Sequence, residues 1–434
     1  MRGTACVLAA VAAGLGGCGP RLRPNVLVLV MDTTRADRCS FLGYGRPTTP
    51  CLAEFAKDAV VFRDAWSPGS WTGPAHASLF TGLRPERHGF HDGARNYLGP
   101  EPATLAQRMR DAGYATACIT DNNWIAPEFG LTRGFARIEP VYGYEPATTP
   151  RAKHSHDLAA AWAEDQARAG KPFLLFINDM EPHLPYTPPS QDERRFVRAA
   201  ASESEIATAR TFDRNQANNF SLHALEMTPE QLGILSDLYD AELASLDREV
   251  GALLERLRAS RLLDSTLVVI ASDHGELLGE HHMFEHGHSM HREVRRVPLM
   301  IRYPRTFDGG RAVEDVVRLE DVFPTVLDVC GLPAQPGIDG ATLRGDVAGR
   351  VSIAVQGAFR GRRAWLADLN PGADPTPYTL GLEAAYDGRH HLLAYSDGRR
   401  ELFDVRADPG ELHDLAASLP DVADRLARLL PSLR

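Results

Sequence analysis

The sequence predicts an α/β protein with a mostly parallel central sheet flanked by helices, followed by a small C-terminal antiparallel α+β subdomain. Three apolar runs, within 25–32, 171–179 and 265–273, have the composition of strands that are covered on both faces. Helical patterns separate the runs, and this alternation is typical of a parallel sheet. Ligands of such sheets bind beyond the carboxyl ends of the strands, so we expect the reactive residues after each run to share one site.

Two of the helical patterns have clear start signals. Thr104 is a capping residue before apolar residues at helical spacing, and Gly113 stands where that helix would end. Thr228 is followed by Pro229 at the first helical position and by Gln231 at the third, and a much longer amphipathic pattern begins there. We therefore expect one short and one long helix between the predicted strands.

The remaining regions suggest how the chain is divided. Residues 190–227 are polar and show no regular period, so we interpret them as an irregular loop and, weakly, as a lid on the substrate side. After about residue 345, short strand candidates alternate with Asp-Gly turns, and a helix from about Pro420 closes the chain. We place a catalytic domain at 24–345 and the C-terminal subdomain at 346–434. The strand candidates of the subdomain are 384–386, 391–393 and 401–403.

The amino-terminal segment, residues 1–18, is interpreted as a leader that does not belong to the fold. A basic Arg2, an apolar stretch over 6–15 and two glycines before Cys18 have the layout of a secretory signal, too short to span a membrane. Residues 15–18, Leu-Gly-Gly-Cys, resemble a bacterial lipobox, the motif whose cysteine is lipidated. We expect an exported protein held in the bacterial cell envelope by a lipid anchor on Cys18; the alternative is plain signal cleavage beside an incidental cysteine.

Charge and cysteine content exclude some classes of function. The formal net charge of -10 disfavours a general role in binding nucleic acid, which requires clustered basic residues. Beyond the leader, four cysteines remain, at 39, 51, 118 and 330, and none has the C-x-x-C spacing of a zinc knuckle. One disulfide could form after export, and Cys39 with Cys51 is the nearest pair.

Candidate metal ligands follow two of the predicted strands. Asp32 comes directly after the first run, where a buried carboxylate must be paired, hydrogen-bonded or bound to a metal. Asp273 and His274 follow the third run, and an adjacent carboxylate and imidazole suit a divalent ion. Five histidines lie downstream and predict either a metal or phosphate cluster or a polar surface loop: His281, His282, His286, His288 and His291.

Residues 70–82, SWTGPAHASLFTG, contain several hydroxyls and a histidine, which by themselves could merely cap a helix. The stretch also resembles the sulfatase signature C-x-P-S-R-x-x-L-x-T-G, with Thr72 at the nucleophile position and His76 where the family usually has Arg. Other segments resemble further landmarks of the family in the right order, and the resemblance extends over nearly all of 24–415. They are Asp32 with Arg35, 182–186, 239–247, 273–275, 296–299, 321–325 and 401–411.

This resemblance, to the sulfatase branch of the alkaline-phosphatase superfamily, implies an alkaline-phosphatase-like fold and a metal-dependent hydrolase of sulfate or phosphate esters. Sulfatases use a formylglycine made from Cys or Ser, and Thr72 is neither, so no formylglycine is expected. Thr33 replaces the second Asp of the usual pair and His274 replaces the usual Asn. This set favours zinc or manganese over calcium, although calcium remains possible.

The resemblance also implies roles for individual residues. Asp32, Asp273 and His274, together with the Thr72 hydroxyl, would hold one divalent metal ion, and Thr72 would attack sulfur or phosphorus in line. Three histidines would steady the non-bridging oxygens or protonate the leaving group: His76, His183 and His286. The expected substrate is an ester carried by a small molecule, a glycan or a lipid.

Two alternatives remain open from the sequence. The first is a transferase that moves a phospho-group onto an envelope glycan or lipid; such enzymes usually carry several membrane helices, a pattern the sequence lacks. The second is an inactive relative that binds sulfated or phosphorylated glycans, a reading that the missing formylglycine precursor supports. The retained metal-ligand residues Asp32, Asp273 and His274 favour an enzyme, because clustered carboxylates without a metal would repel one another.

Overall fold

The structure is a computed structural model that describes residues 23–91, 96–143, 151–358 and 360–433. The predicted leader and its lipidation site, Cys18, lie outside the described residues. Within them, the chain forms fourteen strands: β1 (Asn25–Met31), β2 (Val60–Trp66), β3 (Ala115–Thr120), β4 (Arg137–Pro140), β5 (Phe173–Asp179), β6 (Thr266–Ala271), β7 (Leu277–Leu278), β8 (Phe284–Glu285), β9 (Arg296–Arg302), β10 (Arg311–Arg318), β11 (Ser352–Gln356), β12 (Leu382–Tyr386), β13 (His390–Tyr395) and β14 (Arg400–Asp404).

The helices alternate with these strands through the first three quarters of the described chain and flank the larger sheet. None of them is long and apolar enough to cross a membrane. Their bounds are α1 (Pro50–Phe55), α2 (Thr72–Thr81), α3 (Pro85–His88), α4 (Leu105–Asp111), α5 (Arg151–Arg168), α6 (Ser190–Phe196), α7 (Glu203–Arg210), α8 (Arg214–Ser221), α9 (Pro229–Ala259), α10 (Arg292–Arg295), α11 (Val322–Val329), α12 (Arg360–Leu369) and α13 (Pro420–Ala427).

The central sheet confirms the predicted α/β class. Its eight strands lie in the order β10-β2-β9-β6-β1-β5-β3-β4, and β9 alone pairs antiparallel with its neighbours β2 and β6. The three apolar runs that predicted strands form β1, β5 and β6, which lie side by side at the centre. Each is buried on both faces, which explains why their sequences are continuously apolar rather than alternating.

Two helical layers cover the central sheet and divide the core. One layer contains α2, α4 and α11, and the other contains α5 and α9. Because side chains alternate along a strand, successive residues face opposite layers. The side chains of β1 show this division: Val26, Val28 and Val30 pack in the first layer, and Leu27, Leu29 and Met31 pack in the second. The capping boxes predicted at Thr104 and Thr228 are both present, at the starts of α4 and α9.

The prediction of an irregular loop at 190–227 is wrong, because this segment contains the three short helices α6, α7 and α8. Two of these helices begin with capping boxes, in which Ser202 pairs with Glu205 and Asp213 pairs with Gln216. Their helical residues are mostly polar, so an apolar period was not available to reveal them. The few apolar side chains of the segment, such as Phe212 and Phe220, pack against α9 and β8.

The C-terminal region forms the predicted antiparallel sheet, in the order β11-β12-β13-β14. The three strand candidates are confirmed as β12, β13 and β14, whereas β11 was not predicted. The closing helix is shorter than expected, since α13 ends at Ala427. The four cysteines at 39, 51, 118 and 330 are free, so Cys39 and Cys51 form no disulfide in this structure.

A buried polar chain joins this smaller sheet to the catalytic domain. Arg295 donates from Nη1 to His391 Nε2 (3.0 Å) and from Nη2 to the Ser352 hydroxyl (2.7 Å), and its guanidinium lies over the Trp66 ring. His391 then donates from Nδ1 to Glu411 Oε1 at 2.6 Å. Burial lowers the pKa of Arg295 to about 9. Burial alone would raise the pKa of Glu411, but the adjacent His391 outweighs it and lowers that pKa to about 2.

We expect Glu411→Ala to lower the free energy of unfolding by about 3–5 kcal/mol, because it removes the carboxylate that offsets the buried charge of Arg295 most strongly, ahead of Glu320. The depressed pKa of Glu411 means that its stabilisation is complete above its usual pKa and is lost as the pH falls towards 2. The difference in unfolding free energy between wild type and Glu411→Ala, measured by urea unfolding, should therefore become smaller below about pH 5. Asp397→Ala, which removes an exposed partner of Arg399, is the control and should change little. Equal effects of the two substitutions would contradict this account.

Candidate active site

The polar residues that follow the central strands meet at one edge of the sheet. Asp32 follows β1, Asp273 follows β6, and Asn122 follows β3, two residues after its end. Because β1 lies between β5 and β6 in parallel register, the residues beyond their carboxyl ends are brought close together. The prediction that the reactive residues after the apolar runs share one region is confirmed.

Asp32, Asp273 and His274 form a cluster suited to a metal ion. One ligand atom from each residue lies within 4.8 Å of the others, and the described residues contain no second cluster of this kind. His274 Nε2 is 3.3 Å from Asp273 Oδ2 and 3.8 Å from Asp32 Oδ1. These three atoms are buried and have no hydrogen-bond partner, although buried polar atoms are normally paired. The unpaired atoms indicate that a group absent from the protein chain belongs among them.

The tautomer of His274 also suits a cation. Its Nδ1 lies 2.9 Å from the Gly275 carbonyl oxygen, so Nδ1 carries the proton and donates it. Nε2 therefore presents its lone pair towards the two carboxylates, as a metal-ligating imidazole does. Burial lowers the pKa of His274, and the neutral ring is the form that binds metal.

Because the two carboxylates are buried, both can be ionised together only if a positive charge lies beside them. Desolvation, followed by repulsion from Asp273, raises the pKa of Asp32 to about 6. Desolvation raises the pKa of Asp273 to about 7, although the backbone N–H groups of His274 and Thr33 oppose this rise. Two carboxylates in a buried site are stable as anions only beside a cation, so the electrostatics agree with the unpaired atoms.

A strained turn after β1 brings Thr33 to the same place. Thr33 has a φ of 53°, which is rare for a β-branched residue. The Tyr239 hydroxyl holds this turn: it donates to the Thr33 carbonyl (2.8 Å) and accepts from the Arg35 N–H (2.9 Å). The Thr33 N–H donates to Asp273 Oδ1 (3.3 Å), and its buried hydroxyl has no partner. Strain of this kind persists only where the surroundings impose it, and it is frequent at functional sites.

Thr72 is the first residue of α2, and its side chain is buried next to the cluster. Asn122 Nδ2 contacts both Asp32 Oδ2 (2.7 Å) and Thr72 Oγ1 (3.2 Å). One amide group thus links the candidate nucleophile to a candidate metal ligand. Sequence reasoning gave Asn122 no role, because the strand before it, β3, was not singled out by an apolar run.

His76 lies one turn further along α2 and faces the backbone of the nucleophile. Its Nδ1 is 2.9 Å from the Thr72 carbonyl oxygen and 3.5 Å from Asp273 Oδ2. The ring is fully buried against Phe80 and Phe176, and burial lowers its pKa to about 3. A neutral His76 therefore donates from Nδ1 to the Thr72 carbonyl and supports the start of α2, while Asp273 Oδ2 stays without a hydrogen-bond partner.

His183 and His286 lie on the other side of the cluster. The His286 ring is 4.3 Å from the His274 ring and 5.0 Å from the His183 ring, measured between centroids. His286 Nδ1 donates to Glu276 Oε1 at 2.9 Å. This bond leaves Nε2 as the remaining polar atom of the ring. Glu276, which is fully buried, directly follows the predicted segment 273–275 and was given no role from the sequence.

Of the five downstream histidines, His286 alone joins the cluster described above. His281 and His291 stack on each other, with centroids 3.7 Å apart, and His281 lies 3.6 Å from Glu293. His282 stacks on His223 at 3.9 Å. The remaining member, at position 288, contacts the backbone of His286. The segment was predicted to be either a metal or phosphate cluster or a polar surface loop; it is mainly a packed support, with His286 beside the candidate metal ligands.

A mostly parallel α/β sheet that gathers two carboxylates, an imidazole and a helix-initial hydroxyl at its carboxyl edge has the features of a metal-dependent hydrolase with an alkaline-phosphatase-like fold. Comparison with known families specifies the class further. The family model described as Sulfatase matches residues 24–332, and the chain belongs to this family of metal-dependent sulfuric ester hydrolases.

Individual relatives agree with this assignment. Arylsulfatase K of Bos taurus is 25% identical over 450 residues, covering 94% of this chain and 81% of that protein. The N-acetylglucosamine-6-O-sulfatase of Bacteroides thetaiotaomicron is 23% identical, covering 74% and 70%. Among solved structures, the phosphonate monoester hydrolase of Agrobacterium radiobacter shares the fold, with a TM-score of 0.75, 24% identity and 95% of each chain covered.

We expect zinc or manganese, added to chelator-treated protein, to raise the melting temperature, with a stabilisation of about 2.7 kcal/mol at a hundredfold excess over Kd. Asp273→Asn should abolish this response, yet its metal-free form should melt above the metal-free wild type because one of two repelling carboxylates is gone. Asp179→Asn is a matched control: this buried carboxylate ends β5 at the same edge but pairs with His156, so the metal response should persist. Equal metal responses of wild type and Asp273→Asn would contradict the site.

Proposed function

We propose that this protein hydrolyses sulfate or phosphate esters with the unmodified Thr72 hydroxyl as its nucleophile. The observation that carries the proposal is the shared contact of Asn122 Nδ2 with Asp32 Oδ2 at 2.7 Å and Thr72 Oγ1 at 3.2 Å. It holds the hydroxyl beside the cluster of unpaired ligand atoms, which is the arrangement needed to activate a weak nucleophile.

The residues present fit a divalent ion. Asp32, Asp273 and His274 would hold it, with the Thr72 hydroxyl beside them, and a donor set of oxygen and imidazole nitrogen favours zinc or manganese over calcium. A bound ion supplies positive charge that lowers the pKa of a nearby hydroxyl and offsets negative charge on the attacked group.

Thr72 replaces the residue from which sulfatases make formylglycine. Its Cβ carries a methyl group, so oxidation at that carbon cannot give an aldehyde. Without the second hydroxyl of a hydrated aldehyde, sulfate or phosphate cannot leave by elimination, and water must attack the covalent intermediate instead. The chain would therefore follow the route of Thr and Ser nucleophiles in related phosphatases.

The proposed reaction has two displacements. Thr72 Oγ1 gives up its proton to water and attacks sulfur or phosphorus; the bond to the leaving oxygen breaks, and that oxygen takes up a proton. Water then attacks the same centre and releases Thr72 with its hydroxyl restored. The negative charge of a bound ester favours protonation of His183 and His286 on Nε2; in that form they would steady the non-bridging oxygens or protonate the leaving group, with Glu276 orienting His286. The contacts of His76 favour a positioning role over the oxygen-binding or acid role expected from sequence.

The substrate is proposed to be an ester carried by a small molecule, a glycan or a lipid of the cell envelope. Among the relatives, an N-acetylglucosamine-6-O-sulfatase acts on a sugar sulfate and a phosphonate monoester hydrolase acts on a phosphorus ester, and both chemistries fit an oxyanion beside imidazoles and a metal.

We expect Thr72→Ala to lower kcat by about 10³-fold or more, because the first residue of α2 then has no hydroxyl with which to attack the ester. Thr72→Ser, which keeps the hydroxyl, should retain measurable turnover. Aryl sulfate, phosphate monoester, phosphate diester and phosphonate monoester would each be assayed with zinc, manganese and calcium. Metal content measured on both variants should match wild type, and the mass of the peptide containing residue 72 should be that of unmodified threonine.

Other outcomes of this assay separate the alternatives. Wild-type-like turnover by Thr72→Ala would refute the nucleophile assignment. Product formation that requires an added glycan or lipid acceptor would identify a transferase. Absence of both turnover and stoichiometric metal would favour the inactive glycan-binding alternative.

We also propose that Cys18 is lipidated and holds the protein in the cell envelope. Cys18→Ala should move the protein from the membrane fraction to the soluble fraction without changing its specific activity, since the site residues all lie beyond position 31. Retention of Cys18→Ala in the membrane fraction would contradict the anchor.

A further inference from the structure

Gln356 connects the C-terminal sheet to two loops of the active site. It ends β11 and is 2% exposed. Its Oε1 accepts a hydrogen bond from the Ser70 hydroxyl, and its Nε2 donates to the Gly287 carbonyl at 2.7 Å. Ser70 lies two residues before Thr72, and Gly287 directly follows His286. One side chain thus contacts the loop of the nucleophile and the loop of the candidate acid.

A third hydrogen bond closes the arrangement, because the Gly287 N–H donates to the Ser70 carbonyl at 2.9 Å. Ser70, Gly287 and Gln356 are therefore linked pairwise, and neither loop can shift without breaking a buried hydrogen bond. A buried donor or acceptor that loses its partner costs about 1–3 kcal/mol, which makes the closed arrangement stiff.

The backbone on both sides of Gln356 is anchored as well. The Val355 N–H donates to the Pro68 carbonyl at 3.2 Å, and the Gly357 N–H donates to the His91 carbonyl at 2.8 Å. The end of β11 is therefore a rigid support. The side chain reaches from this support towards the site.

We propose that Gln356 is a positioning residue, which sets the spacing between Thr72 and His286 without touching substrate or metal ligand. The inference rests on the proposed function of those two residues. A displacement of about 1 Å between reacting groups lowers a rate by about 10²-fold, so a side chain that fixes two catalytic loops affects turnover. The C-terminal subdomain would then contribute to the chemistry through one amide.

The test compares two variants of β11 in the full-length protein. Gln356→Met keeps the volume and loses both hydrogen bonds, and it should lower kcat by about 10–100-fold with KM within about twofold of wild type. Ser352→Ala, at the other end of the strand, also loses one buried hydrogen bond across the same junction, to Arg295, and should leave kcat unchanged. Equal kcat values for the two variants would overturn the proposal.

A second variant separates positioning from general loss of stability. In Gln356→Glu, the introduced carboxyl can donate to the Gly287 carbonyl only when it is protonated; ionised, it repels that oxygen. Its kcat relative to wild type should rise as the pH is lowered. A ratio that does not change with pH would count against Gln356 as the residue that fixes the loops.

Hydrogen exchange tests the loops independently of turnover. Peptides covering 67–72 and 284–289 should exchange faster in Gln356→Met than in wild type or Ser352→Ala, and unchanged exchange would overturn the proposal. If wild type hydrolyses none of the four esters, the proposed function fails while this measurement still decides whether Gln356 holds the loops. If wild type is active and exchange rises without loss of kcat, the positioning role fails and the proposed function stands.

Discussion

The burial of two neighbouring carboxylates, Asp32 and Asp273, is the constraint on which the rest of the site depends. Neither is exposed to solvent, and desolvation raises the pKa of Asp32 to about 6 and that of Asp273 to about 7. The chain partly offsets this cost with amide donors: Asn122 and Asn178 donate to Asp32, and backbone N–H groups donate to Asp273. One oxygen of each carboxylate is left without a partner. A cation would satisfy both oxygens and offset their charge together, which agrees with the family's dependence on metal.

The surrounding residues act mainly by fixing the groups that face the cluster. Tyr239 holds the strained turn at Thr33, Glu276 fixes the ring of His286, and Asn122 holds the hydroxyl of Thr72. These three side chains come from different parts of the chain, and those of Tyr239 and Glu276 are fully buried. The polar groups of the site are therefore fixed in position before substrate binds. Groups that need not reorient can stabilise the charge that develops in the transition state at little cost in free energy.

Sequence patterns predicted the centre of the fold well and its periphery poorly. The runs that form β1, β5 and β6 are visible because parallel strands buried on both faces must be continuously apolar. The starts of α4 and α9 are visible because capping uses a few residue types at fixed spacing. The helices within 190–227 carry no apolar stripe, and β11 is a five-residue strand without a turn signal beside it. Asn122 and Gln356 act across separations of 50 and 286 residues, which no local pattern records. The candidate metal ligands could be predicted because they follow strands directly.

The reversed direction of β9 has a consequence for how such a site diversifies. Since β9 begins at the edge where its neighbour β6 ends, the segment between them leaves the sheet and returns to it on the same side. This segment contains the histidine-rich stretch and needs no crossover past the core. The segment is mostly buried against its surroundings, and it carries Glu276 and His286 to the candidate site. A substitution within it would therefore change the groups that face the ester, while the order of the strands in the central sheet would stay the same.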